Sequence, residues 1–442
     1  MSVNNTTISQ PQKNYKKAPF SAVHRKVYLE IVLGQITCGF GLGISGIAMN
    51  RASQFITIDN FWTGLIGAAS LLGLFGSLWM GRLGDKIGRK RLLLINMYLF
   101  TLLSCLHLFV QSWPGVFVLR LLLGLMMAID YTVGNALLVE WLPDGEGSKR
   151  QGNLLIYWTL GFIASYLVGT YFPNVGKNTW QYLLAFPGIL SLVTALTRSF
   201  LHIPASPTWL ASQGKVKTAH KVIRRHLGKK WGLPKKLRKV KKPNDVGYTT
   251  LFSKKYLRNT IVGGVFYATQ SFSFFGISIF LPILMTSMKI TNGTVSGIIY
   301  YGGMVIGVIL GNLVFNRMGR RPFLISTFLS ATLLIMALAA LPNASSLIKL
   351  TLFTLFAIIL SMQLILDYPY TSELFDVKIR ATGVGNSIAV SRIGAAGGTF
   401  LLPILTNVGG ASLAMWVCGI VLLIGLLTCL FLGPETNPKN LK

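Results

Sequence analysis

Long apolar stretches separated by short polar segments recur along the whole chain. Each covers about 20 residues, enough to cross roughly 30 Å of hydrocarbon as an α-helix. None alternates apolar and polar residues as the strands of a membrane β-barrel do, so every stretch is predicted to be helical. The pattern predicts twelve transmembrane helices, called spans 1 to 12, at residues 27–49, 61–80, 92–111, 115–142, 153–173, 180–203, 258–287, 293–315, 322–341, 347–375, 383–405 and 410–433.

The composition agrees with a membrane protein, and the distribution of charge orients it. Hydrophobic residues make up 52% and charged residues 12% of the chain, and the mean hydropathy is +0.57, outside the range of soluble domains. The net charge is +30, yet most Lys and Arg precede span 1 or follow even-numbered spans. This asymmetry predicts cytoplasmic termini, in the plasma membrane or, for a bacterium, the inner membrane. It also argues against nucleic acid as a partner.

The segments outside the spans divide the chain into five parts. Residues 1–26 form a cytoplasmic tail, 27–203 a first group of six spans, 204–257 a basic linker, 258–433 a second group of six spans, and 434–442 a C-terminal tail. The linker contains the run KKWGLPKKLRKVKKP. Because such a run of cations is attracted to anionic lipid headgroups, we expect it to lie on the membrane surface as a partly helical segment.

The sequence lacks the signatures of enzymes and of cofactor or metal proteins. The four cysteines, Cys38, Cys105, Cys418 and Cys429, lie inside predicted spans without the spacing of metal ligands. No P-loop and no dinucleotide-binding fingerprint is present. We therefore expect no enzymatic activity, no cofactor and no metal. We also expect a monomer, with membrane lipids among its partners.

Two loops in corresponding positions repeat one motif. GRLGDKIGRKRLLLI at 81–95 follows span 2, and GNLVFNRMGRRPFLI at 311–325 follows span 8. Aligning Gly88 and Arg89 with Gly319 and Arg320 keeps glycines and basic residues in register. This agreement indicates an internal repeat that relates the two groups of six spans.

GRLGDKIGRKR resembles the signature loop of the major facilitator superfamily, and the resemblance covers essentially the whole chain. Within that superfamily the chain is most similar to the sugar porters and metabolite-proton symporters, on Glu140, Arg150 and the segments SELFDVKIRATGVG, SPTWL and PET. The resemblance implies two pseudo-symmetric six-helix bundles, with spans 1, 4, 7 and 10 lining a central cavity. Many members carry a proton-binding aspartate in span 1, whereas GQITCGFGLGISG at 34–46 contains no acid.

Charged residues at the inner ends of the spans are predicted to form a cytoplasmic gate. Partial desolvation strengthens ion pairs there, and pairs between the two bundles would hold the inner side shut until the transporter opens inward. For any single residue the alternative is simple anchoring to lipid headgroups. The predicted gate residues are Arg82, Asp85, Arg89, Glu140, Arg150, Arg320, Glu373, Arg380 and Glu435.

Two aspartates interrupt the apolar spans. Asp130 in span 4 lies ten residues before Glu140, and Asp367 in span 10 lies six residues before Glu373, so the two acids occupy related faces of equivalent helices. A charged group at mid-membrane depth disfavours insertion by about 2.5 to 3.5 kcal/mol. Retaining two such groups in matching places indicates a function.

Proton coupling is one such function, because desolvation favours the protonated form of a carboxyl group. Contact with a cationic substrate is another. The remaining alternative is a structural ion pair, with Arg120 or Arg392 as partner. Asp130 lies nearer mid-depth and is expected to carry the proton, whereas Asp367 is expected to affect substrate affinity or gating.

Polar and aromatic residues within the spans are weaker candidates for substrate contact. Glutamine side chains can hydrogen-bond a small polar solute and aromatic rings can stack on it, although such rings also serve helix packing. Pro369 is predicted to kink span 10 beside Asp367. The weaker candidates are Gln35, Tyr131, Trp158, Tyr267, Gln270, Tyr300, Gln363 and Tyr368.

The sequence therefore predicts a secondary transporter that works by alternating access and takes up a small polar metabolite, such as a sugar or an organic acid, together with protons. Proton-antiport efflux of organic cations is an alternative, since two cavity acids would suit it. A transporter-like solute sensor is a further alternative, but sensors of this fold usually carry a longer cytoplasmic extension than the residues after Gly433.

Overall fold

The computed structural model describes residues 13–234, 248–290, 292–315, 317–376 and 379–436. In the N-terminal half the spans are Ala22–Ala52, Asn60–Leu74 continued by Ser77–Ile87, Arg89–Leu106, Trp113–Trp141, Gly147–Tyr171, and Thr179–Ala185 continued by Pro187–Phe200. In the C-terminal half they are Leu257–Ile279 continued by Leu281–Ser287, Gly293–Val314, Arg320–Ala340, Ser346–Glu373 and Arg380–Leu432.

The last of these helices supplies two spans. Arg380–Leu432 is broken at Gly409 and Gly410, and Gly410 has a φ of 69°, which a residue with a side chain rarely adopts. Within the described residues, eight helices are long and apolar enough to cross a membrane, or ten when two bent pairs are each counted as one span. The double helix counts as one more span, and Arg89–Leu106, whose first three residues are basic, is another. These two additions bring ten spans to twelve, so the predicted all-α fold of twelve spans is confirmed.

Short elements lie at the end of the molecule that carries both termini, called the terminal end. Strand β1 (Lys13–Asn14) pairs in parallel with β2 (Trp231–Gly232). The linker contributes the helices Pro207–Ser212 and Val216–Leu227 and a 3-10 turn at Tyr248–Phe252. Residues 235–247 of the linker, 1–12 of the N-terminal tail and 437–442 of the C-terminal tail lie outside the described residues.

The linker helix Val216–Leu227 packs on the protein through its apolar face. Ala219 and Ile223 on that face are fully buried and contact Tyr15 and Trp231 in a small hydrophobic cluster. This cluster is separate from the main core, which runs through both halves between the spans. The linker helix therefore covers the terminal end of the N-terminal half.

The two halves pack against each other through three pairs of spans, namely 1 with 7, 2 with 11, and 5 with 8. The contacts are tightest at the end opposite the terminal end, called the distal end. A Cβ atom added to Gly46 would lie 1.7 Å from the carbonyl oxygen of Ile279, and one added to Gly64 would lie 2.2 Å from that of Phe400. Tyr166 of span 5 also donates to Gly293 O at 3.0 Å. The distal end is therefore closed.

Candidate functional site

Asp130 lies inside the N-terminal half. It begins a π-helical turn, Asp130–Gly134, that interrupts span 4; such turns often occur at functional sites. Its carboxylate accepts hydrogen bonds from Arg198 Nη2 at 2.7 and 3.2 Å, and both side chains are fully buried. The Arg198 guanidinium also donates to the carbonyl oxygens of Glu30 and Leu93, at 3.1 and 3.0 Å. This ion pair therefore joins spans 1, 3, 4 and 6.

The close approach of span 1 to this ion pair requires Gly34. A Cβ atom at Gly34 would lie 1.9 Å from Asp130 Oδ2 and 2.4 Å from Arg198 Nη2. Since Cβ atoms do not approach other atoms so closely, any larger residue would push the pair or the helix aside. The Asp130 carboxylate thus faces the interior of its own half and not the other half.

Asp130 forms an ion pair, as one alternative expected, but its partner is Arg198 and not Arg120 or Arg392. Arg120 lies on the same helix, ten residues away, which is about 15 Å along the axis, and its Nη1 donates to Gly41 O at 2.8 Å. Arg392 lies in the C-terminal half and interacts electrostatically with Asp367. Arg198, on neighbouring span 6, is the partner that Asp130 reaches.

Asp367 occupies a different environment, in the C-terminal half, where the next residue, Tyr368, interacts electrostatically with Tyr131 of the N-terminal half. The residue is 8% exposed, and the amide nitrogen of Gln270, with the amide oriented to suit its neighbours, donates to Oδ1 at 2.8 Å. Tyr267 and Arg392 interact electrostatically with the carboxyl group. Among the described residues no cation forms an ion pair with Asp367. The hydrogen-bond donor of this acid is therefore neutral, and the cation Arg392 acts on it without forming an ion pair.

The local backbone of span 10 explains how Asp367 is positioned. A 3-10 turn, Leu364–Leu366, precedes Asp367, and the oxygen of Gln270 accepts from Leu364 N at 3.1 Å. Pro369 lacks a backbone N–H and cannot complete the helical bond to the preceding turn. The irregularity predicted at Pro369 thus appears as a 3-10 turn one residue before Asp367, and Gln270 holds both the turn and the carboxyl group.

Aromatic residues from both halves border the same region. Trp158 Nε1 donates to the hydroxyl of Tyr131 at 2.6 Å, and the Trp158 ring contacts that of Phe275 in the other half, with centroids 6.0 Å apart. Tyr131 and Tyr368 both interact electrostatically with Arg392. Tyr368 is 50% exposed, so an open space adjoins the site there. Asp367 and five of the weaker candidates for substrate contact therefore lie together in one region, called the central site. These five are Tyr131, Trp158, Tyr267, Gln270 and Tyr368.

The other three weaker candidates have different surroundings. The hydroxyl of Tyr300 lies 3.3 Å from Ser278 Oγ, and its ring packs on Phe353 with centroids 4.8 Å apart, so it fills the core of the C-terminal half. Gln363 is fully buried, and its amide has no hydrogen-bond partner among the described residues. Gln35 is buried in span 1.

Comparison with known proteins decides the family. Residues 31–385 match the model of the Major Facilitator Superfamily. The chain belongs to this superfamily. Its activity is therefore that of a multi-pass membrane transporter and not of an enzyme, as the sequence predicts.

Individual members agree with this assignment. The chain is 30% identical over 420 residues to the inner membrane metabolite transport protein YgcS of Escherichia coli, covering 95% of this chain and 93% of that protein. It is 25% identical to the cis,cis-muconate transport protein of Acinetobacter baylyi, covering 89% of this chain and 92% of that protein. The xylose transporter XylE from E. coli, in a partially occluded inward open conformation, has a TM-score of 0.77 at 17% identity, covering 95% of this chain and all of that one. The resemblance drawn from the sequence is confirmed.

In this member of the major facilitator superfamily, the predicted gate residues of the N-terminal half form a network of their own. Arg89 pairs with Asp85 at 3.0 Å and with Glu140 at 2.7 Å. The hydroxyl of Tyr15 donates to Glu140 O at 2.8 Å, and burial, followed by the Glu140 carboxylate, raises the pKa of Tyr15, which keeps this hydroxyl a donor. Trp209 Nε1 donates to Asp85 O at 2.8 Å. The network thus ties the linker and the N-terminal tail to spans 2 to 4.

The two remaining N-terminal gate residues lie outside this network. Arg150 pairs with Glu146 at 2.9 Å and stacks on the ring of Phe20, 3.7 Å from its centroid. Arg82 is exposed.

The C-terminal half repeats the arrangement. Arg320 pairs with Glu373 at 3.3 Å, and its backbone N–H donates to Glu435 Oε1 at 2.9 Å. Arg380 Nε donates to Phe375 O at 3.3 Å. The ion pairs of Arg89 and Arg320 thus stay within their own halves. Because the distal end is closed here, gate pairs between the halves belong to the opposite state and remain a prediction.

Sequence reasoning missed two buried charged residues, Arg198 and Glu30. Both lie inside predicted apolar spans, at 180–203 and 27–49, and both are fully buried. The signal that singled out Asp130, a lone charged residue in an apolar stretch, applies equally to them.

Proposed function

We propose that this transporter takes up a small polar metabolite together with protons, and that Asp367 is the residue that couples the two. The observation that carries the proposal is the carboxyl group of Asp367, which has a neutral hydrogen-bond donor, Gln270, and no ion pair among the described residues. Such a group gains or loses a proton without breaking a salt bridge. Burial favours its protonated form, and exposure to water favours the ionised form.

Asp130 is less suited to this role. Its carboxylate is held by Arg198 through two hydrogen bonds inside one half, so protonation would leave a buried guanidinium without its counter-charge. We therefore assign proton coupling to Asp367 and a structural role to Asp130. The position of Asp130 near the middle of the membrane had led us to expect the proton there, and an effect on substrate affinity or gating at Asp367.

The surroundings of Asp367 support a small polar substrate. Gln270 and Tyr267 offer hydrogen-bonding groups for hydroxyls, Arg392 offers a cation for a carboxylate, and Trp158 and Tyr131 offer aromatic surface. The names of the relatives, which include transporters of cis,cis-muconate and of xylose, agree with this range. Efflux of organic cations fits less well, because one of the two acids is neutralised by Arg198 and the other adjoins Arg392.

Alternating access explains how the site is used. The distal end is closed by backbone contacts at Gly46 and Gly64, and the ion pairs at the terminal end stay within each half. Opening the distal end requires the halves to rock around Asp367 and its neighbours. Because the acid precedes Tyr368, which interacts with Tyr131 of the other half, its hydration changes in each cycle, and its affinity for protons changes with it.

The test uses purified protein in proteoliposomes with an imposed pH gradient, acidic on the uptake side. D-xylose and cis,cis-muconate are the first probes, followed by a panel of sugars and organic acids. Wild-type protein is expected to accumulate one class of probe, and a protonophore should abolish the accumulation. Asp367→Asn should lose accumulation but retain counterflow, because exchange requires no net proton movement.

The matched control is Asp59→Asn, which changes a helix-capping aspartate at the distal end and should retain both activities. Accumulation that persists in Asp367→Asn would exclude this residue as the coupling group. Accumulation that is unaffected by the protonophore but requires sodium would exclude proton coupling altogether.

A further inference from the structure

A second buried acid, Glu30, lies in the N-terminal half away from Asp367. Its side chain is fully buried in span 1, and neither carboxyl oxygen has a hydrogen-bond partner among the described residues. Buried polar groups almost always have partners, and a buried carboxylate without one is unstable. Glu30 precedes the segment 34–46, where the resemblance would place an acid, so it is not that family position.

The nearest buried cation is already engaged. Arg198 Nη2 donates to both oxygens of Asp130 and to the backbone oxygen of Glu30, and Nη1 donates to Leu93 O and to Asn96 Oδ1 at 3.3 Å. The guanidinium therefore bonds the main chain of Glu30 and not its carboxylate. With Glu30 and Asp130 both ionised, the three side chains would carry one uncompensated negative charge inside the half. One proton on Glu30 removes that charge.

A groove at the terminal end is lined by two lysines that interact with Glu30. Lys26, one turn earlier on span 1, and Lys90, at the start of span 3, interact electrostatically with Glu30 and line a groove of about 370 Å³. The linker helix contributes Arg225 and His226 to the same groove. Burial favours the protonated form of Glu30, whereas the positive charges of Arg198, Lys26 and Lys90 favour the ionised form. Whether the Glu30 carboxyl group is protonated or ionised therefore depends on how deeply it is buried.

We infer that Glu30 is a second proton-binding site, inside the N-terminal half, which exchanges protons with the groove at the terminal end. The proton leaves as Glu30–COO⁻ forms, and water in the groove accepts it. The Nε–H of Arg198, which has no acceptor among the described residues, is the donor available to the ionised side chain. In the state described here, Glu30 is neutral and Asp130 is ionised.

This inference deepens the proposed function but is tested without transport. Infrared difference spectra are recorded on the Asp367→Asn protein in liposomes, so that the other proposed proton site is absent, between mildly acidic and alkaline pH without substrate or gradient. They should show the carbonyl stretch of a buried protonated carboxyl group that is lost on alkalinisation. Adding Glu30→Gln in that background should remove the band. Glu146→Gln, which changes a partly exposed glutamate paired with Arg150, should leave it in place.

A band that persists unchanged in Glu30→Gln would overturn the inference. If Glu30→Gln does not fold, Glu30→Asp should keep a band at a shifted frequency, and an unshifted band there would likewise overturn it. Because the measurement requires no substrate, it can succeed even if transport proves not to be proton-coupled. Conversely, proton-coupled transport through Asp367 could be established while Glu30 fails this test.

Discussion

Replacing Asp130 by asparagine tests whether the Asp130–Arg198 pair holds the N-terminal half together. The substitution keeps the size of the side chain but removes its charge. Arg198 is fully buried and would remain as a cation without an ion pair, since the carboxyl group of Glu30 interacts with it electrostatically but forms no ion pair among the described residues. Asparagine offers one acceptor oxygen where the carboxylate offers two, so one of the two hydrogen bonds from Nη2 is also lost.

Two effects set the magnitude. A hydrogen bond to a charged group contributes about 1.5 to 3 kcal/mol, and removing one partner of a buried ion pair costs about 3 to 5 kcal/mol in total. We expect Asp130→Asn to lower the free energy of unfolding by an amount in that second range. The double variant Asp130→Leu with Arg198→Met removes both charges. It should therefore lose less unfolding free energy than the two single variants lose when their losses are added together.

The assay is denaturant unfolding of the purified protein in mixed micelles, compared across the single and double variants. Asp85→Asn serves as control, because Asp85 is 66% exposed in its pair with Arg89 and should cost no more than about 1 kcal/mol. If Asp130→Asn unfolds like wild type while losing pH-driven accumulation, the ion pair is not structural. In that case Asp130 would be the coupling residue.

Two further predictions concern the distal end and the linker. Gly46→Ala should shift spin-label distances toward a state open at the distal end, because its Cβ would lie 1.7 Å from Ile279 O; Gly302→Ala, which has no atoms within 4 Å of the added Cβ, should not. Burial, followed by neighbouring cations, lowers the pKa of His226, so the folded state binds this proton less readily than the unfolded chain. Stability is thus retained above about pH 6.5 and decreases as the pH falls below it. The protection of Val216–Leu227 amides against hydrogen exchange, corrected for the pH dependence of the intrinsic rate, should therefore decrease on acidification in the wild type and stay constant in His226→Gln.

The spans could be predicted from the sequence because each must cover the hydrocarbon with apolar residues and satisfy its own backbone. The observed helices extend beyond the predicted ranges where polar residues continue the helix into the interface, as Arg89 and Lys90 do for span 3. The break at Gly409 and Gly410 falls between the predicted spans 11 and 12. Helix interruptions within spans are less predictable, since the π-helical turn at Asp130 carries no proline or glycine at its start.

The central site could be predicted in part. Asp367, Gln270 and Tyr267 were singled out because polar side chains are costly in apolar spans, and they lie together because spans 7 and 10 are neighbours in this fold. The partner of Asp130 could not be found in this way. The contact depends on the packing that places Arg198 of span 6 beside Asp130 of span 4, and on the close approach of span 1 at Gly34.

The two aspartates occupy related positions in the repeat, yet the halves use them differently. Asp130 is bound to Arg198 by a contact that joins four spans of one half, so its charge is fixed and the half moves as a unit. Asp367 is held by the neutral Gln270 and is followed by the half-exposed Tyr368, so under the proposed function its charge can change with hydration. A transporter requires both properties, because a rigid half must rock while one group responds to the side that is open. If the proposed function is right, an acid held by a neutral donor beside a rigid half is the arrangement through which protonation would bias the conformational equilibrium.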